Sequence, residues 1–98
     1  MIEIDYQNGG IVSKQLLKTP GGNVTLFAFD AGQGLTEHTS PFTALITVLE
    51  GVADVSIGGI PHVVNAGELL ELPAGVPHGV QANRRFKMTL TMLKTAEK

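Results

Sequence analysis

The 98-residue sequence contains no cysteine. This absence excludes disulfide bonds, thiolate chemistry and zinc sites built from cysteine. The sequence also lacks an apolar run near the roughly 20 residues that a membrane-spanning helix needs. Residues 1–5 mix polar and apolar side chains, unlike the start of a signal peptide. We therefore expect a cytoplasmic protein that has no membrane partner.

Net charge is also small, because seven Lys and Arg side chains oppose nine Asp and Glu side chains, for a formal charge of −2. Arg84, Arg85 and Lys87 form the one local basic cluster. A nucleic-acid-binding face must neutralise several phosphates, and three charges before a strand fall short of that. The charge pattern therefore predicts no nucleic-acid partner.

The length suits one domain spanning residues 1–98, with a core from about residue 11 to residue 94 and a polar tail at residues 95–98. A chain of this size buries only roughly 60–70% of the surface that its unfolded form exposes. Pairing with a second copy would bury more apolar surface. We therefore expect a homodimer.

Twelve glycines and five prolines divide the chain into short segments whose apolar residues alternate with the strand period of two. The Gly58-Gly59 pair between two alternating segments predicts a hairpin. The fold class is therefore an all-β antiparallel sandwich or barrel. The predicted strands span residues 11–17, 24–29, 35–40, 43–49, 52–57, 60–64, 69–72, 78–81 and 86–93.

The chain has three histidines, His38, His62 and His78. Histidine is a common ligand of transition metals and a common proton carrier near neutral pH. His38 follows a glycine-rich turn, and His78 follows the segment Pro73-x-Gly75-x-Pro77. These two are the candidate functional residues, whereas His62 is expected to serve packing or an interface.

The surroundings of His38 resemble the first of two motifs of the cupin family. That motif is a glycine, five residues, His-x-His, three or four residues, a glutamate, six residues and a glycine. Gly32, His38 and Gly51 match it at the right spacing. Ser40 stands where the second histidine belongs, and Ala44 stands where the glutamate belongs.

The surroundings of His78 resemble the second cupin motif, a glycine, five residues, Pro-x-Gly, two residues, a histidine, three residues and often an asparagine. Gly67, Pro73, Gly75 and His78 match it, and Ala82 holds the asparagine position. The resemblance implies a small jelly-roll barrel of the RmlC-like kind. It also implies that His38 and His78 face one interior cavity.

The resemblance implies a metal site reduced to His38 and His78, which are also the candidates for a catalytic role. A divalent ion (Zn, Fe, Mn, Ni or Cu) would bind weakly there, since Ser40 is a poor ligand and Ala44 offers none. Strand alternation turns Glu37 outward, and Gln81 is a candidate neutral third ligand. The predicted pocket residues are Ser40, Phe42, Ala44, Gln81 and Met88.

Three interpretations of the histidines stay open. The first is a barrel pocket that binds an unidentified small molecule, with no assignable reaction. The second is a divalent-metal-dependent enzyme of the dioxygenase, isomerase or decarboxylase type that uses His38 and His78. The third gives the rings a structural role, as neutral imidazoles hydrogen-bonded to each other, to Ser40 or to water.

Overall fold

The computed structural model describes residues 3–94, so the predicted polar tail at residues 95–98 lies outside the described residues. The described chain forms nine strands joined by short turns. Every strand pairing is antiparallel, which confirms the all-β prediction. The strands are β1 (Ile11–Thr19), β2 (Gly22–Phe29), β3 (Gly34–His38), β4 (Thr43–Glu50), β5 (Val52–Ile57), β6 (Ile60–Asn65), β7 (Leu69–Leu72), β8 (His78–Gln81) and β9 (Phe86–Leu93).

The strands form two sheets that share one core. The five-stranded sheet has the order β1-β2-β9-β4-β7, and the four-stranded sheet has the order β3-β8-β5-β6. Because side chains alternate along a strand, each sheet sends every second residue into the space between the sheets. The core joins side chains of both sheets, including Phe29, Ile46 and Met88 from the first and Val55 and Val80 from the second.

The chain crosses from the five-stranded sheet to the four-stranded sheet at Gly51, which lies between β4 and β5. Its φ of 78° lies in the left-handed region that glycine adopts without strain. A Cβ at this position would lie 2.5 Å from the carbonyl oxygen of Arg85. Only glycine therefore fits this crossing. The next turn, at Gly58-Gly59, closes the predicted hairpin between β5 and β6.

One end of the barrel, here called the closed end, is filled by two phenylalanines at the junction of β2 and β9. The rings of Phe29 and Phe86 stack with centroids 4.6 Å apart and an interplanar angle of 5°. Both side chains are fully buried. The polar residues next to them in sequence, Asp30 and Arg85, form an ion pair 2.8 Å long just outside the stack.

The N-terminal segment, residues 3–10, packs on the outward face of the five-stranded sheet at the closed end. Ile4 is buried in a second apolar cluster with Leu26 and Ala28. Tyr6 donates a hydrogen bond to Glu50, and its ring lies 5.1 Å from the Arg85 guanidinium carbon. The buried part of the chain therefore begins before residue 11, where the sequence placed the start of the core.

Six strand ends differ from the sequence prediction by one or two residues, among them the C-terminal ends of β1 and β3. β1 extends to Thr19, two residues further than predicted, and contains a bulge between Gln15 and Leu17. β3 ends at His38 instead of continuing to Ser40. Ser40 precedes Pro41, which has no N–H to donate to a strand ladder. Ser40 instead accepts hydrogen bonds from Phe42 N and Gly75 N.

None of the elements between residues 3 and 94 is a helix long and apolar enough to cross a membrane. The compartment of the protein stays a prediction.

Candidate functional site

His38 and His78 lie at the end of the barrel opposite the phenylalanine stack, here called the open end. His38 is the last residue of β3 and His78 is the first residue of β8, and the two are paired in the antiparallel ladder. Directly paired residues place their side chains side by side. The two imidazole rings accordingly lie 4.6 Å apart, edge to face, with an interplanar angle of 63°.

Both rings contact backbone carbonyls through the same nitrogen. His38 Nδ1 is 2.8 Å from Thr36 O, and His78 Nδ1 is 3.3 Å from Val76 O. Because a carbonyl oxygen accepts hydrogen bonds, the proton of each neutral ring is assigned to Nδ1. Each Nε2 then carries a lone pair and is an acceptor for a ligand.

The loop before β8, residues 73–77, fixes the position of His78. Pro77 O accepts a hydrogen bond from Gly58 N at 2.7 Å, which ties the loop to the β5–β6 hairpin. Gly75 N donates to Ser40 O at 2.8 Å, which ties it to the segment after β3. The Pro73-x-Gly75-x-Pro77 pattern therefore holds the two histidine-bearing strands together.

The two histidines border an apolar interior cavity of about 40 Å³. A water molecule needs roughly 10–15 Å³ on the same measure, whereas pockets for drug-sized ligands measure roughly 300–1,000 Å³. The cavity therefore admits one small chemical group and no whole metabolite. Its apolar lining consists of Leu35, Ile46, Leu72, Val80, Met88 and Leu90.

The two rings differ in exposure. His78 is 8% exposed, whereas His38 is exposed to solvent. Burial lowers the pKa of His78 below its ordinary value of 6.5, and His38 lowers it further, while the hydrogen bond to Val76 acts in the opposite direction. His78 is therefore neutral at neutral pH, and His38 presents its ring at the mouth.

The structure brings together three of the predicted site residues, His38, His78 and Met88, around the interior cavity. Ala44 is buried in the core beside Leu72 but does not line the cavity. Ser40 and Phe42 lie beyond the end of β3 and do not line it either. The cavity is therefore lined by fewer of the predicted residues than the sequence analysis expected.

Gln81 is separated from the cavity, which corrects its assignment as a candidate third ligand. It stands three residues after His78 on the same strand, so alternation turns the two side chains to opposite faces. Gln81 lines a groove on the outward face of the four-stranded sheet. Its amide therefore cannot join the two imidazoles at one ion.

That outer groove measures about 350 Å³, and sequence reasoning did not identify it. Its polar lining includes Glu37 on β3, Asp54 and Ser56 on β5, and His62 on β6, besides Gln81. The sequence carries the signal in β5, where Asp54 and Ser56 alternate with buried Ala53 and Val55. His62 lines this groove from β6, the edge strand of the sheet, and does not line the interior cavity beside His38 and His78.

A metal ion at the open end would have two imidazole nitrogens as protein ligands. Zinc sites use three or four side-chain ligands, and non-haem iron uses two histidines and a carboxylate. Within residues 3–94, no group of three or more His, Cys, Asp or Glu side chains could hold an ion. Glu37, adjacent to His38 in sequence, faces the outer groove. The residues do not fit a tightly held ion.

Comparison with protein families gives one match. The model described as "Cupin domain" matches residues 25–93, which is more than two thirds of the chain. The matched region includes both histidine-bearing strands and most of the core. A search of curated proteins finds no match.

Solved structures with the same fold range from chains of similar length to much longer ones. A conserved Streptococcus pyogenes protein of unknown function is 31% identical over 93% of this chain and 80% of its own, with a TM-score of 0.87. A cupin 2 conserved barrel domain protein from Leptotrichia buccalis is 40% identical, with a TM-score of 0.89; the match covers 93% of this chain and 44% of that one. Salicylate 1,2-dioxygenase from Pseudaminobacter salicylatoxidans shares the fold at 18% identity, over 86% of this chain and 26% of its own, with a TM-score of 0.79.

Proposed function

The chain belongs to the cupin domain family, and on that premise we propose that it binds a small molecule bearing a hydroxyl group at the open end of its barrel. One observation carries the proposal. The Nδ1 atoms of His38 and His78 are engaged by backbone carbonyls, which leaves two Nε2 acceptors beside an apolar cavity. Neutral imidazoles accept a hydrogen bond from an uncharged hydroxyl without either partner being ionised.

The size of the cavity limits how such a ligand binds. About 40 Å³ accommodates the hydroxyl or another small group next to His78. The rest of the molecule would stay at the mouth, against the exposed ring of His38. An apolar body with one hydroxyl group matches this combination of an apolar lining and two acceptors.

We assign no reaction to the site. An imidazole can act as a general base, but catalysis also needs a substrate held within hydrogen-bond reach and a group that stabilises the developing charge. The rival function is a divalent-metal-dependent enzyme that uses His38 and His78. Two nitrogen ligands are too few for a tightly held ion, which argues against this function. The likeness to a salicylate dioxygenase, at 18% identity, supports the fold alone.

The three histidines allow a direct test by long-range ¹H–¹⁵N NMR, because each ring gives its own signals. Phenol is the probe, and benzene, which lacks the hydroxyl group, is its matched control. We expect phenol to shift the Nε2 signals of His38 and His78 and to leave His62 unchanged, with little effect of benzene. Shifts confined to His62 would assign binding to the outer groove and contradict the proposal. No histidine shift at millimolar phenol would contradict it as well.

Metal analysis of protein purified without a histidine tag tests the rival function. We expect less than stoichiometric metal and no rise in melting temperature when zinc, iron, manganese, nickel or copper is added, since a ligand of the folded state raises stability by mass action. Stoichiometric metal that is lost in the His38→Ala, His78→Ala double variant would overturn the proposal in favour of the metalloenzyme.

A further inference from the structure

The N-terminal segment contains Asn8-Gly9, the one Asn-Gly pair in the sequence. Both residues are exposed, and they form a turn in which Gly9 has a φ of 72° and Gly10 N donates to Gln7 O at 3.1 Å. An asparagine followed by glycine is chemically labile, because glycine has no side chain to hinder the approach of its nitrogen to the asparagine carboxamide. The other asparagines precede valine, alanine and arginine. Asn8 is therefore the asparagine most prone to lose its amide group.

The reaction is deamidation through a cyclic imide, and water is its only co-reactant. The Gly9 nitrogen loses its proton to hydroxide and bonds to the Cγ atom of Asn8. The bond between Cγ and Nδ2 breaks, and the amide nitrogen takes a proton from water and leaves as ammonia. Water then opens the imide on either side, which gives an aspartyl or an isoaspartyl residue. An uncharged carboxamide is thereby replaced by a carboxylate, which is ionised at neutral pH.

In the folded protein, Asp30 and Arg85 hold both reacting groups, and we call this pair of residues the clamp. Gly9 N donates to Asp30 Oδ2 at 2.6 Å. Arg85 Nη2 donates to Asn8 Oδ1, and Arg85 Nε donates to Asp30 Oδ1 at 2.8 Å. Ring closure requires the Gly9 nitrogen to turn toward Asn8 Cγ, so its hydrogen bond to Asp30 must break first.

The Asp30 carboxylate is a poor base for removing the Gly9 proton. Arg85 and the Gly9 N–H lower the pKa of Asp30 to about 2, which leaves the carboxylate with little affinity for a proton. The contact to Gly9 N therefore restrains the nitrogen without activating it.

We propose that Asn8-Gly9 is a self-modification site that the clamp keeps unreactive, and that its conversion releases residues 3–10 from the five-stranded sheet. The reaction proceeds from molecules in which the segment has opened locally, since surface segments open far more often than whole domains unfold. An isoaspartyl residue adds a carbon to the main chain, which lengthens it by about 1.5 Å. Gly9 N and the side chain at position 8 then no longer reach Asp30 and Arg85 together. Because ammonia is lost, the segment does not return to its original state.

Release of the segment uncovers part of the sheet and changes the surroundings of Tyr6. Ile4 packs against Leu26 and Ala28 in the second apolar cluster. Tyr6 donates to Glu50 Oε2 at 2.5 Å. The sequence has one tyrosine and no tryptophan, so tyrosine fluorescence reports on this segment alone. A hydrogen bond to a carboxylate quenches the emission of a phenol, and release should therefore raise it.

Peptide mass spectrometry of protein kept at mildly alkaline pH tests the reaction, because it separates the asparaginyl, aspartyl and isoaspartyl forms at position 8. We expect the wild-type chain to convert about tenfold more slowly when folded than in urea, where the clamp is absent. Arg85→Met should raise the rate in the folded protein by about threefold, since exposed ion pairs contribute modestly. Asp54→Ala is the matched control. Asp54 accepts a hydrogen bond from Asn83 in another part of the barrel, so its loss should leave the rate at Asn8 unchanged.

Three results of this experiment would overturn the proposal. The absence of conversion at Asn8 in urea would remove the site itself. Equal rates in folded and urea-unfolded protein, or an Arg85→Met rate at or below that of the wild type, would remove the role of the clamp. An Asp54→Ala rate as high as that of Arg85→Met would show that general loss of stability governs the reaction instead.

Tyrosine fluorescence of the same aged samples tests the release of the segment. Emission is expected to rise in proportion to the isoaspartyl fraction. Asn8→Gln is the control, because it keeps a carboxamide but lengthens the side chain by a methylene, which makes ring closure far slower. Its emission should stay constant over the same period. Unchanged emission in fully converted wild-type protein, or an equal rise in Asn8→Gln, would contradict the release.

Discussion

The two ends of the barrel use polar residues in opposite ways. At the closed end, Asp30 accepts hydrogen bonds from Arg85 Nε at 2.8 Å and from Gly9 N at 2.6 Å. Arg85 also donates to Asn8. At the open end, the His38 and His78 rings hydrogen-bond to the protein only through Nδ1, as far as the described residues show. The polar groups of the closed end therefore hydrogen-bond to one another. At the open end, the two Nε2 atoms are left as acceptors without a hydrogen bond among the described residues.

On the proposed function, this difference separates stability from binding along the barrel. The closed end combines the buried Phe29–Phe86 stack with an N-terminal segment held by both apolar and polar contacts. The open end has a small apolar cavity and a buried imidazole, and neither contributes as much to packing. Substitutions at the closed end should therefore lower stability, and substitutions at the open end should remove binding.

The largest effect is expected at the closed end from Phe86→Ala. This change removes a fully buried ring that stacks on Phe29, so the free energy of unfolding should fall by about 3–5 kcal/mol. The matched control is Phe42→Ala at the open end, where the ring is half-buried and outside the core cluster. Urea unfolding should show less than half the loss for the control. Equal losses would show that stability is spread evenly between the two ends.

At the open end, we expect His78→Leu to change stability by only about 1 kcal/mol in either direction. Leucine has a similar volume, removes a buried polar ring from an apolar cavity, and loses one long hydrogen bond to Val76. The same variant should no longer bind phenol. His62→Leu, on the outer groove, is the control and should keep phenol binding. A loss of stability above about 3 kcal/mol in His78→Leu would assign His78 a structural role instead.

Much of the fold was predictable from the sequence, because alternation and turn residues are local signals. Four of the predicted strands, residues 52–57, 69–72, 78–81 and 86–93, have the same bounds in the structure. The motif spacing identified His38 and His78, and their pairing in the ladder explains why two residues 40 positions apart meet. The N-terminal segment was missed because Ile4 and Tyr6 are too few to establish a period.

The lining of the cavity was less predictable, for two different reasons. Gln81 could have been excluded by strand parity alone, since it is three residues from His78. Ser40 could not, because its departure from the strand depends on a hydrogen bond from Gly75, which is distant in sequence. The volume of about 40 Å³ depends on how Ile46, Leu72 and Met88 pack together. Such packing requires three-dimensional coordinates.

The smallest effect, and the one that compares the two ends in a single protein, is the pH dependence of stability. The folded-state pKa of His78 is lowered, so the unfolded chain binds the extra proton more readily, and stability should decline as the pH falls below about 6.5. Arg85 and the Gly9 N–H lower the pKa of Asp30 from 3.8 to about 2, so the contribution of Asp30 to stability is present above pH 3.8 and is lost as the pH falls to about 2.

Urea midpoints measured from pH 8 to pH 2 should therefore fall in two separate windows. His78→Leu should remove the upper window alone, and Arg85→Met should reduce the lower one alone, because the two ends share no titrating contact. If either variant changed both windows, the two ends would be coupled through the barrel and the separation of stability from function would not hold.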